Sequence, residues 1–249
     1  MLAILGGSGL TQLSTLGETR RISARTAYGE PSGPLTLGRI GGREVLFLAR
    51  HGDAHSIPPH QVNYRANIQA LKDAGASRIA SVATVGGIRK DFGPGALVVP
   101  DQLIDYTWGR VSTFFEAPGA KVTHIDFTEP YSVALRKAIL AAAKACGEVI
   151  ADGGCYGTTQ GPRLETAAEI ARMERDGADL VGMTAMPEAA LAREAGLEYA
   201  AIAVVANHAA GKGDSAHAIS LIDIQAVVAK AMQRVLRILE KLAAASSPT

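Results

Sequence analysis

Short apolar runs alternate with amphipathic segments along most of the chain. The runs are four to seven residues long and rich in β-branched side chains, and they lie at residues 2–5, 45–48, 79–85, 96–99 and 199–205. Runs of this length and composition predict buried β-strands. The segments between them carry apolar residues three and four positions apart, which is typical of helices with one buried face. The alternation predicts an α/β fold.

Five helices are predicted, and glycines mark the ends of four of them. The helices span residues 62–74, 132–146, 165–176, 187–194 and 221–242. Gly75, Gly147, Gly177 and Gly196 follow the first four, and glycine adopts the left-handed conformation of a helix C-cap without a steric penalty. Pro187 suits a first helical turn, where its missing N–H costs nothing. Each of these helices is therefore expected to end at its glycine.

The strand pattern and the chain length together predict one domain. Strands that are apolar throughout favour a mixed or largely parallel sheet covered by helices on both faces. A chain of 249 residues, 47% of them apolar, can bury a substantial core. No internal repeat or interdomain linker interrupts it. We therefore expect a single domain over residues 1–249, with about residues 244–249 as a flexible tail.

Charge and cysteine content exclude several classes of protein. The 25 basic and 24 acidic residues nearly cancel, so no global field attracts nucleic acid or an anionic membrane. No apolar run is long enough to cross a bilayer. Cys146 and Cys155 are too few for a disulfide framework and lack the spacing of zinc ligands. We expect a cytoplasmic protein with neither a metal nor an organic cofactor.

A glycine-rich segment follows the first predicted strand directly. Gly6, Gly7, Ser8 and Gly9 offer close backbone approach, free N–H groups and one hydroxyl to an anion. The lysine of a nucleotide-triphosphate loop is absent, and the spacing of a dinucleotide fingerprint does not fit. The segment is a candidate phosphate loop, and a tight turn after the strand is the alternative.

A second polar segment, residues 49–60, follows the strand predicted at 45–48. It contains Arg50 and three histidines, His51, His55 and His60. A guanidinium can form two charge-assisted hydrogen bonds to phosphate, and His51 can supply another donor. His51 and His55 have the spacing of a metal pair, but no third ligand is evident. A loop held by hydrogen-bonded imidazoles is the other interpretation.

These segments, together with several others, resemble the trimeric purine nucleoside phosphorylase and methylthioadenosine phosphorylase family. The resemblance covers nearly the whole chain through residues 6–10, 50–55, 59–68, 161–166, 182–188 and 192–196. It implies a mixed sheet with a distorted barrel flanked by helices. It also implies phosphorolysis of a purine nucleoside with inorganic phosphate as co-substrate, in a homotrimer with shared active sites.

The resemblance assigns a phosphate site and a ribose contact. The implied phosphate-binding residues are Ser8, Arg50, His51, Thr84 and Thr184. The family often has a hydroxyl at the position of Ala83, so one phosphate contact is in doubt here, and neighbouring Thr84 is the expected substitute. Met183 is expected to pack against the ribose, although a methionine at this position also suits a core.

Two positions bear on the base. The methylthioadenosine enzymes have an aspartate where this chain has Asn207, and Ala209 replaces a second aspartate. An amide accepts from N7–H and donates to O6, which suits a 6-oxopurine. Glu165 aligns with the glutamate that accepts N1–H, although a carboxylate at a helix N-terminus would explain it equally. Leu164 beside it is expected to contact substrate. Asn207 and Glu165 are thus the expected catalytic residues.

Apolar residues stand on the expected sugar side. Ordinary purine nucleoside phosphorylases have a histidine early in the last helix, and the corresponding region here contains Leu221 and Ile224. An apolar pocket favours a methylthio group over a hydroxyl. His217 is close enough in sequence to be a rival, and both apolar residues also suit a core. His124 resembles the residue that a neighbouring subunit lends to the 5′ side.

Together these positions predict S-methyl-5′-thioinosine as the substrate, cleaved to hypoxanthine and 5-methylthioribose 1-phosphate. A methylthioadenosine phosphorylase and a general 6-oxopurine nucleoside phosphorylase are the enzyme alternatives. A nucleoside-binding module without catalysis is the alternative of another class. Such a module has no need for Ser8, Arg50 and Thr184.

Overall fold

The computed structural model describes residues 1–245, and residues 246–249, most of the expected tail, lie outside this part. The strands are β1 (Leu2–Gly6), β2 (Gly17–Ile22), β3 (Leu35–Ile40), β4 (Arg43–Ala49), β5 (Arg78–Gly87), β6 (Leu97–Val99), β7 (Gln102–Asp105), β8 (Ala151–Asp152), β9 (Cys155–Thr158), β10 (Leu180–Gly182) and β11 (Glu198–His208). The helices are α1 (Tyr64–Asp73), α2 (Val133–Ala145), α3 (Ala167–Arg175), α4 (Ala185–Glu194) and α5 (Leu221–Ala244). Residue 244, which we expected in the tail, is helical.

The five helices predicted from the sequence are all present, and their starts differ from the prediction by at most two residues. α1 begins at Tyr64 because the Asn63 side chain accepts from a backbone N–H of the first turn. α3 begins at Ala167 because Thr166 and Glu169 form a reciprocal capping box. Such caps satisfy the free N–H groups of the first turn and so fix where each helix starts.

The five predicted strands are present as β1, β4, β5, β6 and β11, and six further strands accompany them. β2 was missed because its residues are largely exposed and polar. β8 and β10 were missed because they have only two and three residues. In the described chain all eleven strands belong to one sheet, which mixes parallel and antiparallel pairs. The mixed α/β, single-domain fold class is thus confirmed.

The sheet splits along β5. β11 pairs with β5 in parallel from Arg78 to Gly87. On the opposite edge, β1 pairs only as far as Ser81, and antiparallel β10 joins at Gly86. Residues 82–85 therefore have no strand partner on that edge, and a cleft can open there between the end of β1 and β10. In residues 1–245 the sheet does not close on itself, so the implied barrel is an open, branched sheet.

Helices cover both faces of the sheet. One core cluster packs α2 and α5 against one face, where α5 contributes Val228, Met232, Val235 and Leu239 at alternating spacings of three and four residues. A second cluster packs α1 and α4 against the other face. Neighbouring residues of β1, such as Ile4 and Leu5, belong to different clusters because side chains alternate along a strand. No helix in the described chain has the length and apolarity needed to cross a bilayer.

Candidate active site

A cavity of about 600 Å³ opens at the split in the sheet. Its lining comes from the segments after β1, β4 and β10, from β5 and β11, from the loop before α3 and from the start of α5. The expected site residues that line it are Ser8, Arg50, His51, Thr84, Leu164, Glu165, Met183, Thr184, Asn207, Ala209, Leu221 and Ile224. Residues far apart in the sequence thus share one cavity.

Parallel strand pairing brings the first group of residues together. β1 and β4 run parallel with Gly6 opposite Ala49, so Ser8 and Arg50 follow two neighbouring strand ends. The Arg50 backbone N–H then donates to the Gly6 carbonyl over 2.8 Å. Ligands of open α/β sheets bind beyond the carboxyl ends of parallel strands. We name this half of the lining, formed by Ser8, Arg50, His51, Thr84 and Thr184, the strand-end cradle.

At Gly7 the glycine-rich segment passes so close to β5 and to Arg50 that a side chain would not fit. A Cβ on Gly7 would lie 2.6 Å from the Val82 carbonyl oxygen and 2.8 Å from Arg50 Nη1. The Thr84 hydroxyl donates to the Ser8 carbonyl over 3.0 Å, which holds the segment against β5. Ser8 Oγ lies 3.3 Å from His55 Nε2 in the histidine loop. The close approach explains why glycine is needed here.

Arg50 is fully buried and is paired with a buried carboxylate, Glu188. Nε donates to Glu188 Oε2 over 2.6 Å and Nη2 to Oε1 over 2.9 Å. Nη2 also donates to Ser81 Oγ over 2.7 Å, and Nη1 to the Val82 carbonyl over 3.0 Å. A guanidinium has five N–H groups, so one, on Nη1, remains. The two-bond contact expected with phosphate is therefore made with Glu188 instead.

The charge of Arg50 is fixed by this partner. Burial alone would lower the pKa of the guanidinium, but the adjacent Glu188 carboxylate outweighs burial and leaves the pKa raised. Arg50 is therefore protonated at physiological pH. Glu188 also accepts from Tyr199 Oη over 2.7 Å and from Ser81 Oγ over 3.1 Å. Both carboxylate oxygens of Glu188 are thus hydrogen-bonded, and its charge compensates that of Arg50.

His51 is neutral at physiological pH. Burial, followed by the charge of Arg50, lowers its pKa to about 4. Its Nδ1 lies 2.8 Å from the Ile57 carbonyl oxygen, which can only accept, so Nδ1 carries the proton. Nε2 is then an acceptor. The sequence led us to expect a donor to phosphate at His51, and the tautomer makes this nitrogen an acceptor for a hydroxyl or for a protonated oxyanion.

The other half of the lining consists of Leu164, Glu165, Asn207, Leu221 and Ile224, and we name it the loop wall. Glu165 lies before α3, and Glu169 makes the capping contact at that helix N-terminus. The helix-capping role, which was the alternative explanation for Glu165, is therefore performed by Glu169. Burial raises the pKa of the Glu165 carboxyl, and a hydrogen bond of 2.6 Å from the Thr159 hydroxyl opposes this rise.

Asn207 reaches the cavity through an irregularity in β11. The register against β5 shifts between Val205 and Asn207, which turns the end of the strand. The Asn207 Nδ2 donates to the His208 carbonyl, so Oδ1 remains as an acceptor. Ala209 is buried, and its backbone N–H donates to the Gly87 carbonyl over 2.8 Å. Asn207 and Ala209, the two positions where the methylthioadenosine enzymes have aspartates, therefore both line the cavity.

The wall near the start of α5 is apolar. Leu221 is the first residue of α5 and Ile224 lies one turn later, and both line the cavity together with Ile219. The rival residue His217 is exposed and is not part of the lining. His124 is also exposed and lies outside the cavity of this single chain. The sugar side of the cavity is therefore lined by apolar side chains, and the alternative residue, His217, is not among the lining residues.

Several residues with evident roles were missed at the sequence level. Glu188 lies in the segment 182–188 that carries the resemblance but was not assigned a role, although a glutamate in the otherwise apolar residues 185–192 signals a buried partner. Thr159, which holds Glu165, carries no sequence signal. Neither does Arg110, whose Nη1 donates to the carbonyls of Met183 and Met186 over 2.8 and 2.6 Å. These contacts join segments distant in sequence.

The histidine spacing that suggested a metal pair belongs to two rings in contact. In residues 1–245, no group of three or more His, Cys, Asp or Glu side chains is arranged to hold a metal ion. His51 and His55 pack ring against ring, with centroids 4.8 Å apart. The two imidazole rings therefore contact each other within the loop that follows β4.

The chain matches known proteins over almost its entire length. The phosphorylase superfamily matches residues 1–244. A probable S-methyl-5′-thioinosine phosphorylase of Xanthomonas campestris pv. campestris is 60% identical over 214 residues, 86% of each chain. One of Xylella fastidiosa is 54% identical over 242 residues, 97% of each chain. The structure of methylthioadenosine phosphorylase from Schistosoma mansoni in complex with adenine has a TM-score of 0.93 at 32% identity, covering 98% of this chain and 90% of that one.

These matches include the segments that form the cavity. A superfamily match over residues 1–244 spans both the strand-end cradle and the loop wall. The solved relative shares the fold at an identity that excludes coincidence. The chain therefore belongs to the phosphorylase superfamily and is an enzyme of the nucleoside phosphorylase type, a pentosyltransferase.

Proposed function

We propose that the enzyme cleaves S-methyl-5′-thioinosine with inorganic phosphate to give hypoxanthine and 5-methylthioribose 1-phosphate. The observation that carries this proposal is the composition of the single cavity at the split in the sheet. It combines anion donors in the strand-end cradle with Asn207, Glu165 and the apolar pair Leu221 and Ile224 in the loop wall. The two named relatives with 60% and 54% identity support the same substrate.

The polar groups of the loop wall suit a 6-oxopurine. Hypoxanthine carries a proton on N1, which the Glu165 carboxylate accepts when it is ionised. As the base departs, the Asn207 amide supplies an acceptor for N7–H and a donor for O6. Adenine presents no proton on N1 and an amino group at C6, so it would leave the Glu165 carboxylate and the Asn207 amide mismatched.

The apolar part of the loop wall suits a 5′-methylthio group. A 5′-hydroxyl against Leu221 and Ile224 would lose its hydrogen bonds to water without a replacement, at a cost of about 1–3 kcal/mol. A methylthio group has no such bonds to lose and packs against carbon. The same wall thus accepts the thioether and disfavours inosine.

Bond cleavage follows from charges placed at the two ends. The bond from C1′ to N9 breaks with its electron pair going to the purine, while positive charge develops on the ribose. Phosphate in the strand-end cradle stabilises this positive charge and then forms the new bond to C1′. The purine anion takes up a proton at N7, which balances the proton that the phosphate loses as it becomes the sugar phosphate ester. Hypoxanthine then leaves with N7–H bonded to Asn207 and N1–H bonded to Glu165. Ser8 binds phosphate and does not attack, so no covalent enzyme intermediate forms.

We further propose that the site is completed in a homotrimer, in which His124 of the partner subunit reaches the 5′ side of the cavity. Support comes from residues 106–132, which contain His124 and connect β7 to α2 without a helix or strand. Trp108, Val111 and Val122 in this segment are exposed apolar residues. A neighbouring subunit that lends His124 from this segment would also cover these residues.

The substrate is tested by comparing phosphorolysis of methylthioinosine, methylthioadenosine and inosine at equal phosphate concentration. We expect the largest kcat/KM for methylthioinosine. The alternative activity, methylthioadenosine phosphorolysis, is favoured by the high structural similarity to the Schistosoma mansoni enzyme. A larger kcat/KM for methylthioadenosine would select that alternative, and a larger one for inosine would select a general 6-oxopurine enzyme. Purine release that does not depend on phosphate would contradict the reaction itself.

A further inference from the structure

Glu188 has no role in the reaction as described, yet it is the most buried carboxylate beside the site. It has no exposed surface and occupies the first turns of α4, directly behind Arg50. Its carboxylate receives hydrogen bonds from Arg50, Tyr199 and Ser81. Burial of a charged pair is costly unless hydrogen bonds satisfy its groups. Here both carboxylate oxygens are bonded, and so are four of the five guanidinium N–H groups.

The charges around the cavity make this carboxylate important. Within the described chain, Arg50 is the only lysine or arginine that lines the cavity. His51, its neighbour in the strand-end cradle, has a pKa of about 4 because of burial and the nearby guanidinium, and is therefore neutral. Glu188 cancels the remaining positive charge. An anion bound in the cradle thus meets hydrogen-bond donors but almost no net positive charge.

We propose that Glu188 is a positioning residue that neutralises Arg50 and so preserves the negative charge of the bound phosphate for the reaction. The inference rests on the proposed function. An unpaired Arg50 would bind phosphate tightly before reaction but would weaken the attraction between phosphate and the positive sugar in the transition state. Interactions that stabilise only the ground state lower KM without raising kcat. Glu188 therefore lowers the affinity for phosphate and raises kcat.

The pair also orients the guanidinium. With Nε and Nη2 held by Glu188 and Ser81, the one remaining N–H lies on Nη1, next to Gly7 at the cavity wall. A single directed donor suits one phosphate oxygen. Arg50 thus contributes a directed hydrogen bond to phosphate more than a net positive charge.

The test varies the charge of the pair in steps and measures kcat and the KM for inorganic phosphate. Glu188→Gln leaves the pair at +1, and we expect its phosphate KM to fall at least about fivefold, with a lower kcat, because the neutralising carboxylate is gone. Tyr199→Phe is the matched control, since it removes one hydrogen bond to Glu188 and keeps the charge. Its phosphate KM should stay within twofold of the wild type, about the precision of such kinetics.

A second comparison keeps the proposal testable if Glu188→Gln does not fold. Arg50→Gln leaves the pair at −1, and Arg50→Gln/Glu188→Gln restores it to zero without restoring the lost donor. We expect the double variant to have the lower phosphate KM of the two. Phosphate should also raise the melting temperature of the double variant more than that of Arg50→Gln.

The outcomes separate this inference from the proposed function. An unchanged or higher phosphate KM in folded Glu188→Gln, or no gain in the double variant over Arg50→Gln, would show that Glu188 only supports the fold. In that case the wild type would still release purine in a phosphate-dependent way. Failure of the wild type to do so would overturn the proposed function, and this inference with it.

Discussion

Arg50 and Glu188, at one end of the cavity, have no exposed surface, whereas Leu221 and Leu164, at the other, are 65% and 42% exposed. The first end belongs to the strand-end cradle, which is built on strands and closed by hydrogen bonds between side chains. The second belongs to the loop wall, which is carried by the loop before α3, the end of β11 and the start of α5. The two halves of one site therefore differ in burial, and we expect them to differ in tolerance of substitution.

The difference matches the chemistry proposed for each half. Phosphate is the same in every reaction of this type, and the cradle that would hold it is fixed in the core. The nucleoside varies, and the groups facing it lie where a substitution disturbs few neighbours. We therefore expect changes in the cradle to damage both stability and turnover, and changes in the loop wall to redirect specificity.

The largest effect is expected for Arg50→Ala. The phosphate kcat/KM should fall at least about 100-fold, because a directed donor at the reacting anion is lost. Buried Glu188 would also lose its partner, which should cost about 3–5 kcal/mol of unfolding free energy. Steady-state kinetics and denaturant melts measure the two effects. Arg50→Gln/Glu188→Gln should recover stability without full activity, and wild-type phosphate kinetics in Arg50→Ala would remove Arg50 from the site.

Next in size is the change of base preference in Asn207→Asp. A carboxylate can accept both from a 6-amino group and from N7–H, but it cannot donate to O6. The ratio of kcat/KM for methylthioadenosine to that for methylthioinosine should rise by about 100-fold, the scale of one buried hydrogen-bond mismatch at each substrate. Asn207→Ala is the control, since it should weaken both substrates without favouring adenine. An unchanged hypoxanthine preference in Asn207→Asp would contradict the base contact.

The sequence predicts the rigid parts of the molecule well and the pairing of side chains poorly. Apolar runs and glycine ends locate five of the eleven strands described in residues 1–245 and all five helices described there, because burial and capping act on neighbouring residues. The resemblance to a family selects the residues of the cavity lining. Neither source indicates that Arg50 is bound by Glu188, which lies 138 residues away. Nor do they indicate that the Ile57 carbonyl sets the tautomer of His51.

A smaller effect is expected for Leu221→His, which places an imidazole on the sugar side of the loop wall. A hydrogen bond to the 5′-hydroxyl should raise the kcat/KM ratio of inosine to methylthioinosine by about tenfold, the value of one such bond. Leu221 is exposed at the first position of α5, so the fold should tolerate the change. His217→Ala is the control, because His217 does not line the cavity and its loss should leave the ratio unchanged. A shifted ratio in the control would favour His217 as the 5′ contact.

The smallest effect concerns the pH profile. Burial raises the pKa of Glu165, and the Thr159 hydroxyl, which donates to its carboxylate, opposes the rise. Glu165 accepts N1–H only when ionised, so kcat/KM for methylthioinosine should fall as the pH drops through this raised pKa. Thr159→Val keeps the side-chain shape and removes the donor, so the acid limb should move to higher pH. His51, which has a pKa of about 4, also titrates on the acid side, but it is not bonded to Thr159. An acid limb that stays in place in Thr159→Val would therefore be assigned to the titration of His51. A limb that moves in Thr159→Val and disappears in Glu165→Gln would tie Glu165, and with it the loop wall, to base recognition.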